Sequence, residues 1–265
     1  MKRRTKAVCA FLSSLMLVAC GGGGGGDEGA PTGGSTGGTG QPAARAEGVY
    51  RGTATLDNVS TDIRMLVLEN NDFVVLYGQD VGTMFLVGGF LQGAGTSNNG
   101  SFSSSDAKDF GMSPAAPVTV TASYTPRSVV TGTVNELGQS ISFTAGALSA
   151  SEFDYDAPAN PNSIVGSWAL TRLDGSAVPV TITASGAFSG VSSGCTVSGT
   201  ITPRASGKNV FDVVVNSGPA PCAEPGGRAT GIAITYILQG TTTRQLVLAG
   251  TNSSRTAGTV LFGQR

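Results

Sequence analysis

Val118-Thr119-Val120-Thr121-Ala122-Ser123-Tyr124 alternates without a break. Val118, Val120, Ala122 and Tyr124 fall on one face and Thr119, Thr121 and Ser123 on the other, the period of two that marks a half-buried β-strand. Ser140 to Ala145, "SISFTA", repeats the pattern. Working outward, strands are predicted near Val49 to Thr55, Asp62 to Glu69, Asp72 to Gln79, Met84 to Gly93, Gly100 to Phe110, Val118 to Pro126, Val129 to Asn135 and Gln139 to Leu148. The residues between them suit turns, since Asn70-Asn71-Asp72 and Asn98-Asn99-Gly100 supply side chains that tolerate positive φ. No segment carries a convincing helical period.

Ser151 to Ser163, "SEFDYDAPANPNS", interrupts this texture with two prolines and a small acidic cluster. Behind it strands resume near Gly166 to Arg172, Ala177 to Ser185, Ala187 to Val191, Cys195 to Pro203, Lys208 to Asn216, Ala229 to Leu238, Arg244 to Ala249 and Gly258 to Phe262. Gly48-Val49-Tyr50 opens the first series and Gly166-Ser167-Trp168 the second, which suggests a duplicated and diverged unit. The expected fold is all-β, with two small antiparallel eight-stranded barrel-like domains at residues 48–150 and 163–265 joined by a linker at 151–162. Closure is favoured over an open sandwich because it removes exposed strand edges.

Residues 21–47 are mostly Gly, Thr, Ser, Pro, Ala and Gln. Such a segment buries too little apolar surface to offset the entropy of ordering, so it reads as a flexible tether with a reach of about 25 to 30 Å. Ahead of it stand a basic start, with Lys2, Arg3, Arg4 and Lys6, and a short apolar run from Ala7 to Ala19. This is the length of a signal peptide and falls short of a spanning helix. The run ends in Leu17-Val18-Ala19-Cys20, which resembles the lipobox of bacterial lipoproteins. That resemblance implies cleavage after residue 19 and a lipid on Cys20, which would be the membrane anchor. Gly21 follows in place of the aspartate that favours inner-membrane retention in enteric bacteria, so the expected address is the outer membrane of the cell envelope.

With Cys9 removed and Cys20 lipidated, Cys195 and Cys222 remain. An even count in an exported chain reads as a disulfide. If the Cys195 strand turns near Ser206-Gly207 and returns, Cys222 in the loop "SGPAPCAEPGG" comes within reach and staples that loop across one mouth of the second barrel.

The chain contains no histidine. That removes the usual general base, the usual relay partner of a nucleophile and the commonest metal ligand. Gly190 to Gly194 spells G-x-S-x-G but lies among strands and has no histidine to serve it; Ser105 and Lys108 spell S-x-x-K without its companion motifs. Asp106 with Asp109, and Asp154 with Asp156, are the close carboxylate pairs of the body. The first is a distant candidate for hydrolysis and the second for calcium. The expectation is a protein that is not an enzyme and uses no cofactor or metal. After removal of the signal peptide there are 12 basic against 17 acidic residues, which gives no general affinity for nucleic acid. Residues 48–150 hold four basic and eight acidic side chains and residues 163–265 hold seven and three, so the halves are opposite in sign and could dock.

Gly166-Ser167-Trp168 resembles the G-x-W of the first strand of lipocalins and related calycins. In that family the ring plugs one end of the barrel, often under a late arginine, a part Arg255 or Arg265 could take. The resemblance implies a small apolar ligand in the second barrel, near Trp168. Cys20, the run Gly21 to Gly26 and the paired barrels together resemble Neisseria-type surface lipoproteins of the factor-H-binding and transferrin-binding kinds. This second resemblance implies a non-enzymatic binding or structural module with a protein partner at the cell surface, and it carries no site residue across. Of the two, the protein-binding surface module is the first expectation and the apolar carrier the alternative.

Overall fold

A computed structural model describes residues 44–82 and 84–265 of the chain. The expected signal peptide, Cys20 and nearly all of the expected tether lie outside the described residues.

The first barrel is built from β1 (Gly48–Leu56), β2 (Val59–Val67), β3 (Asp72–Val81), β4 (Met84–Ala94), β5 (Thr96–Asn98), β6 (Ser101–Asp109), β7 (Ala116–Thr125), β8 (Val129–Glu136) and β9 (Gln139–Ala147). Neighbours pair antiparallel, β9 returns to β1, and Leu91 and Gln92 of β4 pair with Asp109 and Lys108 of β6. Eight strands therefore close, and the three-residue β5 is an addition on the edge of β6. The second barrel closes through β10 (Gly166–Arg172), β11 (Ala177–Ile182), β12 (Ala187–Ser192), β13 (Cys195–Pro203), β14 (Phe211–Ser217), β15 (Arg228–Ile237), β16 (Arg244–Asn252) and β17 (Gly258–Gln264). Between the barrels the described residues hold one 3₁₀ turn, Pro161–Ser163, capped by the Asn160 side chain.

Both barrels begin with the same local device. Gly48 and Gly166 take φ of 146° and 114°, where a side chain would be strained. Two residues on, an aromatic ring turns inward and its polar atom donates back four residues. Tyr50 Oη bonds the Ala46 carbonyl at 2.8 Å, and Trp168 Nε1 bonds that of Ile164 at 2.7 Å. Each ring closes one end of its barrel with its only polar group satisfied, which is the condition for burying it.

The β2, β3, β15, β16 and β17 strands are apolar on both faces, because each has two interiors to meet. Ile63, Met65, Val67 and Phe73 point into the first barrel, while Leu66, Val74 and Leu76 point away from it. Ala233, Leu246, Leu248 and Leu261 point into the second, while Ile232, Ile234, Val247 and Phe262 point out. The outward sets form one apolar cluster, so the barrels dock wall against wall. Inside this seam the fully buried Gln245 donates to the Phe85 carbonyl at 3.0 Å and accepts from the Phe85 amide at 3.3 Å and the Tyr236 hydroxyl at 3.1 Å. The opposite charges of the halves meet at its margins, where Arg204 pairs with Glu69 at 2.9 Å and Arg255 with Asp106 at 2.6 Å.

Candidate functional site

The two interiors differ in how completely they are filled. In the second barrel Trp168, Leu170, Ile182, Phe188, Ile201 and Phe211 occupy the core. Trp168 is enclosed there, with the Arg265 guanidinium 4.3 Å above its ring and bonded to the Val165 and Ser163 carbonyls. Of the two late arginines, Arg265 is thus the one over Trp168, whereas Arg255 serves the seam. At the far end of this barrel lies a recess of about 210 Å³ lined by Arg172, Ser192, Glu224, Arg228 and the Cys195 strand. Cys195 and Cys222 are joined by a disulfide, with Cα atoms 4.6 Å apart, which fastens the β14–β15 loop over that end. Closing a loop of this length stabilises the fold by roughly 3 to 4 kcal/mol in the chain-entropy account.

The first barrel is packed only in the half nearest its Tyr50 end, by Tyr50, Val67, Phe73, Phe102 and Tyr124. Toward the other end the inward positions include Ala54 and Thr61, which are too small to meet across the barrel. A cavity of about 540 Å³ results, walled by Ala54, Ile63, Val75, Val134, Ile141 and Phe143. It opens between the β1–β2 turn and the β6–β7 loop, where Asp57, Val59 and Met112 line it and are exposed. The large apolar cavity thus lies in the first barrel, and Trp168, the residue expected beside a small ligand, does not line it.

One polar cluster stands in the apolar wall. Tyr77 donates its hydroxyl to both oxygens of Asp109, at 2.9 and 3.0 Å, and the Gly111 amide donates to the same carboxylate at 2.7 Å. The Tyr77 ring fits because Gly89 and Gly111 have no Cβ, which would stand 2.1 and 1.9 Å from its oxygen. Glu136 lies across β7 from Asp109, since the first pairs with Val118 and the second with Ala116. Its Oε1 is buried without a hydrogen-bond partner among the described residues. Burial, and then the charge of and hydrogen bonding with the neighbouring Asp109, push the Glu136 carboxyl up to about 7. The same two causes raise the Tyr77 phenol, which stays protonated and keeps donating.

Asp109 reaches the cavity because β6 carries a bulge. The register of β6 on β7 shifts between Ser104 and Ala107, so that Phe102, Ser104, Ala107 and Asp109 are buried while Ser105 and Asp106 are exposed. Without the extra residue the alternation would turn Asp106 and Lys108 inward. Instead they face the second barrel, where Arg255 grips Asp106 and Lys108 Nζ donates to the Arg255 carbonyl at 2.8 Å. Asp106 and Asp109 are therefore separated by the barrel wall and cannot act on one bond. Ser192 of β12 spends its hydroxyl on the Ala177 carbonyl of β11, and Asp156 is occupied by Arg127 and Lys208. Among the described residues no three His, Cys, Asp or Glu side chains gather as a metal site would require.

No family model and no curated protein matches the chain. The chain is weakly similar to solved structures. A protein of unknown function from the DUF3598 family of Nostoc punctiforme is 13% identical over 82% of this chain and 95% of that one, with a TM-score of 0.24. Isotype 1 transferrin binding protein B from serogroup B Neisseria meningitidis is 11% identical over 78% of this chain and 58% of that one, with a TM-score of 0.25. At this level they are a structural resemblance and carry no ligand or partner across.

Proposed function

We propose that the chain is a lipid-anchored binding protein of the bacterial envelope, without enzymatic activity, and that the first barrel holds a small apolar molecule. The anchor and the outer-membrane address rest on Leu17 to Cys20 and Gly21. One observation carries the binding reading, the roughly 540 Å³ apolar cavity open at one end. Its volume falls in the range of about 300–1,000 Å³ that small-molecule pockets occupy, and pockets of that kind combine apolar walls with a few convergent polar groups. A self-filled barrel would have no such space. Exposed Val59 and Met112 at the lip, with Leu137 in the adjoining turn, give an apolar ligand a greasy path in. They also offer a contact surface for a protein partner, the other role expected for a tethered module of this type.

Titration with a neutral phenylnaphthylamine probe tests the reading. The wild-type protein should bind one probe with a rise in emission, and Ala54→Phe, which fills the cavity from β1, should abolish that rise while the barrel stays folded by circular dichroism. Probe binding that survives Ala54→Phe would move the site elsewhere.

A further inference from the structure

We infer that the ligand of the first barrel is an apolar molecule bearing a protonated amine, held by the Asp109 and Glu136 carboxyls, and that fatty acids are excluded. This rests on the reading of the cavity as a binding site and adds the chemistry of the head group.

The charges that face the cavity all have one sign. Asp57 from the β1–β2 turn, Asp109 from the end of β6 and Glu136 from the end of β8 line it, together with the neutral phenol of Tyr77 from β3, and no lysine or arginine does. The nearest basic side chain in sequence, Lys108, points to the opposite side of the wall and is engaged there. Buried carboxyls are ordinarily paired with a cation or hydrogen bonded on all sides. Asp109, only 4% exposed, has its donors in Tyr77 and Gly111. Glu136 is half-buried, and its Oε1, shielded from solvent, has no donor among the described residues.

A barrel of this size could have used an isosteric apolar residue at position 136, where the wall is otherwise Val134, Ile141 and Phe143. It carries an acid instead, beside another acid, in the part of the cavity toward the open end. An alkylammonium or arylalkylammonium ion entering tail first would lay its chain along Ile63, Val75, Val134 and Phe143. Its N–H groups would then reach the carboxyl pair at a depth where water is scarce and charge-assisted hydrogen bonds are strong. A carboxylate head would meet two or three like charges there and no donor but the Tyr77 hydroxyl, which Asp109 already holds. The Glu136 carboxyl is raised toward neutrality first by burial and then by the charge of Asp109, and the second of these is the repulsion felt without a cation. A bound ammonium would relieve it, so amine binding should release a proton when measured near pH 7.

Competition against the phenylnaphthylamine probe with dodecylamine, dodecanol and dodecanoate, each below its micelle concentration, separates the possibilities. At about pH 8 the amine should displace the probe at least about tenfold more tightly than the alcohol, and dodecanoate should be weakest. Glu136→Gln should collapse the amine's advantage over the alcohol while leaving the alcohol in place, and Asp109→Asn/Glu136→Gln should erase it. The single variant keeps the test usable if the Asp109 change, which disturbs Tyr77, prevents folding. Lowering the pH to about 5.5 should shrink the preference in the wild type and not in Glu136→Gln. Equal binding of amine and alcohol, or tighter binding of dodecanoate, overturns the head-group inference and leaves the cavity reading standing. Failure of the probe and all three competitors to bind overturns both.

Discussion

The first and second barrels share strand number, closure and an opening Gly-x-aromatic turn, yet one holds an apolar cavity of about 540 Å³ while the other is filled around Trp168 and keeps only a recess of about 210 Å³ at its far end. The difference lies in which residues occupy the inward positions. Around Trp168 the second barrel sets Leu170, Phe188, Ile201, Phe211 and Leu248, bulky chains that meet across the axis. The cavity of the first barrel is lined instead by Ala54 and Thr61, and the space they leave is walled by residues that do not reach one another. Barrel architecture alone thus decides neither binding nor its absence. Side-chain volume summed around the ring does.

Truncations should separate the two interiors most strongly. Trp168→Ala removes the largest side chain of the filled core and should destabilise by about 3–5 kcal/mol. Ile141→Ala, on the wall of an existing cavity, creates little new void and should cost about 1 kcal/mol. Urea unfolding followed by circular dichroism measures both, and equal costs would break the comparison. Enlargement is the converse. Ala233→Phe forces a ring into the packed second barrel and should cost about 1–3 kcal/mol, whereas Ala54→Phe should change stability by less than about 1 kcal/mol because its ring has somewhere to go. A severe loss for Ala54→Phe would mean that the first barrel is already full.

The seam offers an internal reference of intermediate size. Gln245→Ala leaves the Phe85 amide and carbonyl and the Tyr236 hydroxyl without partners in a buried place, so it should cost about 3 kcal/mol. That loss should appear equally whichever barrel is monitored, since both walls contribute to the cluster.

The smallest expected effect follows from the sign of the Glu136 shift. Because the folded barrel raises this carboxyl from the ordinary glutamate range to about 7, the folded state binds the extra proton across that window. Stability should therefore fall as pH rises through it, and Glu136→Gln should remove the slope and raise Tm by a few degrees above pH 7. A wild-type Tm that is flat or rising between the ordinary glutamate range and pH 7, with no difference in the variant, would argue against a buried carboxyl pair. Among the described residues the second barrel buries no Asp or Glu, so no counterpart substitution there should show this behaviour.

Much of this fold is legible in the chain, and the gaps have physical causes. Clean alternation in Val118 to Tyr124 belongs to β7, which buries one face and wets the other. The runs Met65 to Leu68 and Phe73 to Leu76 lack that alternation because both faces are buried, and continuous apolarity of this kind was the available sign of a docking wall. The short β5 hides in a stretch whose Asn98-Asn99-Gly100 reads as turn. Cys195 and Cys222 follow from hairpin geometry. The cavity was not legible, because it depends on residues from eight strands meeting at one depth. Nor was the role of Asp109. A β-bulge changes the parity of a strand, and from sequence alone Lys108 or Asp109 could equally face inward.

Xenon pressurisation of crystals tests the central contrast most directly, since xenon settles in apolar space that side chains leave empty. The account predicts xenon inside the first barrel, among Ile63, Val75, Ile141 and Phe143, and none in the core around Trp168. Absence of xenon from the first barrel, or its presence beside Trp168, would contradict it.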